Sequence, residues 1–587
     1  MEFGVKKEGS AGALLLSSSE KVQRILKPSF SSTWRKMLLS TIFLALTSLI
    51  YHENILALGS SVVSAASPST IVDAGYAKYQ GNHSLAFPNT VSYLGIPYAE
   101  PPLGERRFRA PLPLNTARVA LETKGKVVDA RSYPDFCIQG TTGGGDAGGA
   151  GSEDCLKVNI YTPVGAKKGS NLPVLVYIHG GGYVFGNPAN WPFEHWVNQS
   201  PNVVIVSVYY RLSSIGFLAT PAMRDSANGD LNAGFLDQIQ ALKWVKQNIA
   251  SFGGNPAKVT INGESAGGSS IELHLVANEG EKLFSGAIAQ SVYRTPLPTP
   301  EQQEAVFTFY ANHAGCGTGS DADKLSCLRK ASVSALAMAQ DAAGSSAFTA
   351  SGYKVFHPVI DGHLFTEFPT QSILAGKFAN VPLIVGATTN ETLSGGTDIG
   401  AALKSFFPSI TDQDVSALVA AYPLQEFGSA DLQFQTVTGD AELRCARSLM
   451  GTAFGKKQKS WTYRYNQRTP GASAVFHAAE NYVMFRGTST GFNGSTTFHD
   501  LTPAESAFAE ELIAYWLSFV RVGDPNKFKL SRSPTWTPFT THKSRIVLQA
   551  VPANSSTAVS ASSLENEGDE ETKRCTLIAS QVGDQQN

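Results

Sequence analysis

Cysteine is scarce in this chain, six in 587 residues. No two of the six stand in a C-x-x-C spacing and no H-E-x-x-H run occurs, so the common zinc signatures are missing and neither a metal nor another cofactor is expected. Charge of one sign is also missing. Lysine plus arginine number 47 against 48 aspartates and glutamates, a net charge of −1, and without a long basic run nucleic acid is not an expected partner. No internal repeat divides the chain. The apolar stretch from Met37 to Ile50 is too short for a comfortable membrane span. What the chain does have is 42% hydrophobic residues, enough at this length to bury a large core in one domain.

The most informative stretch is Val259-Thr260-Ile261-Asn262-Gly263-Glu264-Ser265-Ala266-Gly267-Gly268. It reads as a β-branched strand, a serine bracketed by glycines and a helix start, the form of a nucleophile elbow. Small neighbours are needed there because a Cβ at either glycine would meet the adjoining strand or helix. Gly487-Thr488-Ser489-Thr490-Gly491 matches the same bare pattern, but a Gly/Thr/Ser/Phe loop follows it instead of a helical run such as Ser269 to Ala277.

A second element supports Ser265. The strand-like run Pro173 to Ile178 leads directly into His179-Gly180-Gly181-Gly182-Tyr183. Consecutive glycines let bare backbone N–H groups converge on a substrate carbonyl, as an oxyanion hole requires. A phosphate cradle is disfavoured, since no Gly-Lys-Ser/Thr follows and no G-x-G-x-x-G spacing opens a helix at this point.

Other stretches carry a family resemblance. They include Gly95-Ile96-Pro97-Tyr98-Ala99, Glu153-Asp154-Cys155-Leu156, Asp237-Gln238, Phe252-Gly253-Gly254-Asn255-Pro256, Pro358-Val359-Ile360-Asp361-Gly362 and Gly523-Asp524-Pro525-Asn526. With the two glycine motifs, the chain resembles the type-B carboxylesterase/lipase family, the cholinesterase-like and fungal lipase-like α/β-hydrolases, over most of its length. The resemblance implies an α/β-hydrolase fold, a large mostly parallel twisted sheet flanked by helices. Alternating helical and extended segments from about residue 70 to 550 fit that class.

Such a fold orders its catalytic residues as Ser, then Asp or Glu, then His. Val381 to Val385 reads as a strand and leads through Gly386 to Asn390 into Glu391, the candidate acid, with Asp398 as competitor. Beyond it lie only His477, His499 and His542. His477 falls one loop after the strand-like Trp461 to Asn466 and is the candidate base; the other two sit in polar loops. The family shows His-Gly-x-Glu here, and this chain reads His477-Ala478-Ala479-Glu480. Gly181, Gly182 and Ala266 are the expected oxyanion donors. Ser291 matches a buried family serine near the triad, with a core hydroxyl as the equal alternative.

Residues 1–66 read as an N-terminal extension. Arg35 and Lys36 precede the apolar core 37–50, and Ser64-Ala65-Ala66 offers a cleavage point, so a secretory signal, or alternatively a membrane anchor, is expected. Residues 67–552 are the expected hydrolase domain. The tail 553–587 is tethered by Cys575, and its Ser/Ala/Glu-rich part to residue 573 is expected to be flexible. Six cysteines allow fifteen full pairings; the resemblance implies Cys137 with Cys155, Cys316 with Cys327 and Cys445 with Cys575. Glycosylation candidates are Asn82, Asn198, Asn493 and Asn554, whereas Asn390, next to Glu391, is expected to be too enclosed.

These readings converge on a secreted serine carboxylic-ester hydrolase acting through an acyl-enzyme on a small-molecule or lipid ester. The alternatives are a lipase or sterol esterase working on lipid aggregates and, in a different class, a non-catalytic adhesion or scaffold protein. The segment 138–154, between the first two cysteines, is short and glycine-rich. It has one large apolar residue, Ile138, and no aromatic; since the resembled family places a choline-binding tryptophan or a long lid in this loop, the resemblance implies that both are missing and favours soluble esters of short to medium acyl chains or aromatic acids.

Overall fold

The computed structural model describes residues 70–139, 151–277, 282–350, 352–354, 356–490 and 496–587. The expected targeting segment, the sequon at Asn493 and most of the glycine-rich loop therefore lie outside the described residues.

Among the described residues, ten strands join in one sheet. In chain order these are β1 Thr90–Pro97, β2 Lys157–Pro163, β3 Leu172–Ile178, β4 Val204–Val208, β5 Gly254–Glu264, β6 Gly286–Gln290, β7 Leu383–Thr388, β8 Ser460–Tyr465, β9 Ser544–Leu548 and β10 Ser563–Asn566. Their order across the sheet is β10-β9-β8-β7-β6-β5-β3-β4-β2-β1. The centre, from β4 to β9, is parallel, and antiparallel joints occur only toward the two edges. Parallel neighbours need long crossovers, and helices supply them on both faces. On β3, Val174, Val176 and Ile178 enter one core while Leu175 and Tyr177 enter the other. A central strand of this kind is apolar on both sides, which is why it reads as an unbroken hydrophobic run.

Helix α1, Ala233–Asn248, brings Asp237 against Arg211, with both side chains buried and a closest N···O distance of 2.7 Å. The carboxylate also accepts from the Arg211 amide at 3.0 Å. Taking away one partner leaves an uncompensated charge in the core. Asp237→Leu is accordingly expected to cost about 3–5 kcal/mol, read as a lowered midpoint in equilibrium urea unfolding; a loss below about 1 kcal/mol would show that Arg211 finds another partner.

Helix α6, Pro503–Val522, begins with Thr502 and Glu505 capping each other's amides and ends at Gly523 with φ 70°. Its Tyr515, Trp516 and Phe519 are core residues. All three disulfides form as the resemblance implies.

The C-terminal region corrects the expectation of flexibility. Residues 563–566 form β10, pairing antiparallel with β9, and Asp569–Ser580 is a helix, α7. Composition suggests solvated carboxylates, yet Glu565 pairs with Arg464 and Arg545, and Glu571 pairs with Arg545 at 2.7 Å and with Arg447. Cys575 adds a covalent tie to Cys445 on α4, Cys445–Gly455. No helix among the described residues is long and apolar enough to cross a membrane.

Candidate active site

Four loops at the carboxyl ends of the parallel strands converge, the usual place for a site in such a sheet. The tightest follows β5. Ser265 adopts φ 61° and ψ −125° between β5 and helix α2, Ala266–Val276. That conformation costs a non-glycine residue about 1–3 kcal/mol. It is held by Ser265 N donating to Gln290 O at 3.0 Å and by Ser269 N donating to Ser265 O at 2.9 Å. The glycines are required by space: a Cβ on Gly263 would come 2.5 Å from the Gly267 carbonyl, and one on Gly267 would run into the Ile178 carbonyl.

After β3, Gly181 and Gly182 take φ 106° and 61°. The carbonyls that share a peptide plane with their amides, those of Gly180 and Gly181, are tied off. Gly180 O meets His179 Nδ1 at 2.8 Å, and Gly181 O accepts from the amides of Val184 and Phe185, both at 3.0 Å. In a trans peptide N–H and C=O point in opposite directions, so the amides of Gly181 and Gly182 face away from these acceptors. Ala266, in the first turn of α2, has an amide without an intrahelical partner. A Cβ on Gly180 would lie 2.9 Å from Ser265 Cβ, which measures how closely the two loops approach.

Glu391 lies three residues past β7 and His477 twelve past β8. His477 Nε2 is 2.8 Å from Ser265 Oγ and Nδ1 is 2.5 Å from Glu391 Oε1. Glu391 is fully buried, and its other oxygen accepts the Thr388 amide at 2.9 Å. Ala478 stands at φ 62°, a left-handed conformation that glycine adopts more readily than alanine, and it starts helix α5, Ala479–Met484. The competing residues are elsewhere. Asp398 caps helix α3, Ile399–Phe406, accepting from Ala401 N at 3.0 Å. His499, His542 and Ser489 are exposed. Ser291 is buried at φ 47°, its amide donating to Gly386 O at 2.8 Å and its hydroxyl without a protein partner.

Sequence reading missed two further carboxylates. Glu264 Oε1 is 3.5 Å from His477 Nε2, its Oε2 accepts from Asn481 at 3.1 Å, and Glu480 accepts from the Tyr463 hydroxyl at 3.1 Å. Both acids are buried. Burial pushes Glu264 up to about 7 and Glu480 up to about 8. Burial alone would lower His477, but Glu264, Glu391 and Glu480 outweigh it and raise the imidazole to about 9. The available signal was adjacency, since Glu264 precedes the serine and Glu480 follows the histidine by one helical turn.

Of the glycosylation candidates, Asn554 is exposed, while Asn82 and Asn198 are partly covered and Asn198 Oδ1 accepts from Asn89 N at 3.0 Å. Asn390 is bonded to Val475 through its backbone amide at 3.0 Å and its side chain at 3.2 Å. Among the described residues, no group of three or more His, Cys, Asp or Glu side chains could hold a metal.

Residues 68–566 match the carboxylesterase family model. Acylcarnitine hydrolase of Mus musculus is 32% identical over 487 residues, covering 76% of this chain and 81% of the relative. Lipase 5 of Diutina rugosa is 35% identical over 371 residues, covering 57% of this chain and 66% of the relative. The crystal structure of Aspergillus niger EstA superimposes with a TM-score of 0.75 at 29% identity, covering 89% of this chain and 99% of that one.

Proposed function

Because the chain belongs to the carboxylesterase family and is a carboxylic-ester hydrolase, we propose that it works through an acyl-enzyme formed on Ser265. His477 removes the hydroxyl proton as Oγ attacks the ester carbonyl, and Glu391 orients the imidazole and stabilises its charged form. The amides of Gly181, Gly182 and Ala266 stabilise the tetrahedral oxyanion. His477 protonates the departing alcohol; water then attacks the acyl-serine by the same route, releasing the acid and restoring the hydroxyl. The observation that carries this reading is the continuous chain Ser265 Oγ, His477, Glu391, with both hydrogen bonds made. Its test is labelling by a fluorophosphonate probe. Loss of the label in Ser265→Ala supports it, and an unlabelled native protein sinks it.

The pH profile provides a second check. An imidazolium cannot accept the serine proton, so kcat/KM falls as pH drops through the pKa of His477. Sequence alone suggests a midpoint of roughly 6 to 7. The three carboxylates around the ring move the expected midpoint upward, toward the value near 9. Since Glu264, Glu480 and His477 exchange influence, the limb belongs to the cluster. Glu264→Gln removes the nearest extra negative charge and should move the limb to lower pH. A limb at the ordinary imidazole position, unmoved by this substitution, would show that the acids exert no pull.

We further assign soluble esters of short to medium acyl chains or aromatic acids as substrates, with secretion as the destination. The absence of aromatic residues from segment 138–154 supports the first assignment, and three formed disulfides, which suit an oxidising compartment, support the second. Hydrolysis of tributyrin should rise smoothly through its solubility limit, and butyrylcholine should not be strongly preferred over an uncharged butyrate ester. A sharp interfacial jump would favour the lipase reading instead.

A further inference from the structure

We propose that a small arginine-lined cavity beside the end of β7 binds a phosphate-class oxyanion, inorganic phosphate or a small phosphate monoester. The site is separate from the residues that hydrolyse the ester and does not depend on how they work.

The cavity measures about 190 Å³, below the roughly 300–1,000 Å³ of sites that take drug-sized ligands, so its occupant is small. Five arginines line it: Arg444 and Arg447 around the start of α4, Arg464 on β8, Arg545 on β9 and Arg574 on α7. Arg447 and Arg545 are buried, while Arg444, Arg464 and Arg574 are half-buried and open the space to solvent. Two of them are fixed against the wall at Thr389: Arg444 Nη1 donates to Thr389 O at 2.7 Å and Arg464 Nη1 to Thr389 Oγ1 at 2.9 Å. Arg574 is held flat over the Tyr422 ring, 4.5 Å from its centroid.

The carboxylates nearby do not use up these cations. Arg444 has Asp440 at 2.9 Å, Arg574 has Glu426, and Glu567 lies 3.8 Å from Lys543. Arg447, Arg464 and Arg545 are left to share two acids, Glu565 and Glu571, one positive charge in excess. The donors show the same surplus. Arg447 reaches Glu571 through Nη2, but its Nε and Nη1 are buried without a partner. Arg545 spends Nε and Nη1 on Glu565 and Glu571, and Arg574 spends Nε and Nη2 on Ala421 O and Glu426; Arg545 Nη2 and Arg574 Nη1 make no hydrogen bond among the described residues. Burial, then the Arg545 and Arg444 charges, outweigh the nearby acids and hold Arg447 below its ordinary pKa, although an arginine stays charged. Buried donors without acceptors are costly and call for a partner. Four such nitrogens on three guanidinium groups suit an acceptor with several oxygens, and planar arginine forks match phosphate in geometry as well as charge. A bound dianion would tie α7 and β9 to the start of α4.

The test titrates the full chain with inorganic phosphate by calorimetry at low ionic strength, where screening does not mask the site. One site with a Kd of about 1 mM or tighter is expected. Phosphate should also raise the midpoint of thermal unfolding more than sodium chloride of equal ionic strength does, because it binds only the folded chain. Arg447→Met keeps an apolar stem and removes the fork; it should weaken binding by about tenfold or more and abolish the phosphate-specific rise. Arg574→Gln, the milder change should Arg447→Met not fold, should weaken binding by about three- to tenfold. Arg224→Gln removes an arginine that pairs with Glu301 outside the cavity and should bind phosphate as wild type does. Phenyl phosphate that binds as tightly as inorganic phosphate assigns the site to monoesters, and its exclusion assigns it to the free ion; either result supports the arginine fork. The proposal is overturned if no site fills below about 10 mM phosphate, if chloride reproduces the thermal shift, or if the folded cavity variants bind phosphate like wild type.

Discussion

Replacing Ser265 by alanine is expected to lower kcat by roughly a millionfold while the protein still folds. The substitution removes one oxygen from a small side chain that is already nearly buried, so little packing is lost. It even spares the hydroxyl's desolvation. The chemistry suffers because, among the described residues, only the Ser265 hydroxyl is hydrogen-bonded to His477 Nε2, and the remaining oxyanion donors supply only the residual rate of an enzyme that has lost its serine. Ser489→Ala is the matched control. Ser489 is an exposed residue of a short strand, Thr488–Thr490, and its loss should leave kcat and KM at wild-type values. Full activity in the Ser265 variant, or inactivity in the Ser489 variant, would reverse the assignment.

His477→Ala should be nearly as damaging, and the two losses should not add. When nucleophile and base act as one unit, removing the second after the first costs little more, so the double variant should match the worse single variant within about tenfold. Glu391→Gln tests the third member: the amide can still hydrogen-bond but no longer holds the imidazole in the right tautomer, which costs about 10⁴ in kcat in a comparable triad. His499→Ala and His542→Ala should stay active because both side chains are exposed and outside the site. Asp398→Asn should leave kcat alone, since Asp398 only caps a helix. Active-site titration alongside circular dichroism separates lost chemistry from lost fold; an active His477 variant would rule that residue out as the base.

Much of this was legible in the sequence because the relevant signals are local. An elbow must be written with glycines at fixed offsets from its serine, and the run His179 to Tyr183 must be written where a strand ends. The helix beginning at Pro503 declared its own start through Thr502 and Glu505, which cap each other. Other features were hidden because charge carries no address. The carboxylates of residues 563–573 look solvated in composition, and only folding sets Glu565 and Glu571 against Arg464, Arg545 and Arg447.

The sequence by itself determined the strand and turn grammar: which serine stands on a strained turn, which glycines cannot carry a Cβ, and the order Ser265, Glu391, His477 along the chain. Backbone sterics and side-chain period act over a few residues, so these can be read without knowing where anything else lies. Only the tertiary structure decided the distances and the electrostatics. It closed 212 residues of separation to 2.8 Å between Ser265 and His477 and buried Glu264 and Glu480 around the same ring. It also set the ring of His357, an unremarked histidine before a proline, beside Tyr183 and Thr295. Contacts between residues so far apart, and the dielectric around them, arise from packing that no short segment encodes.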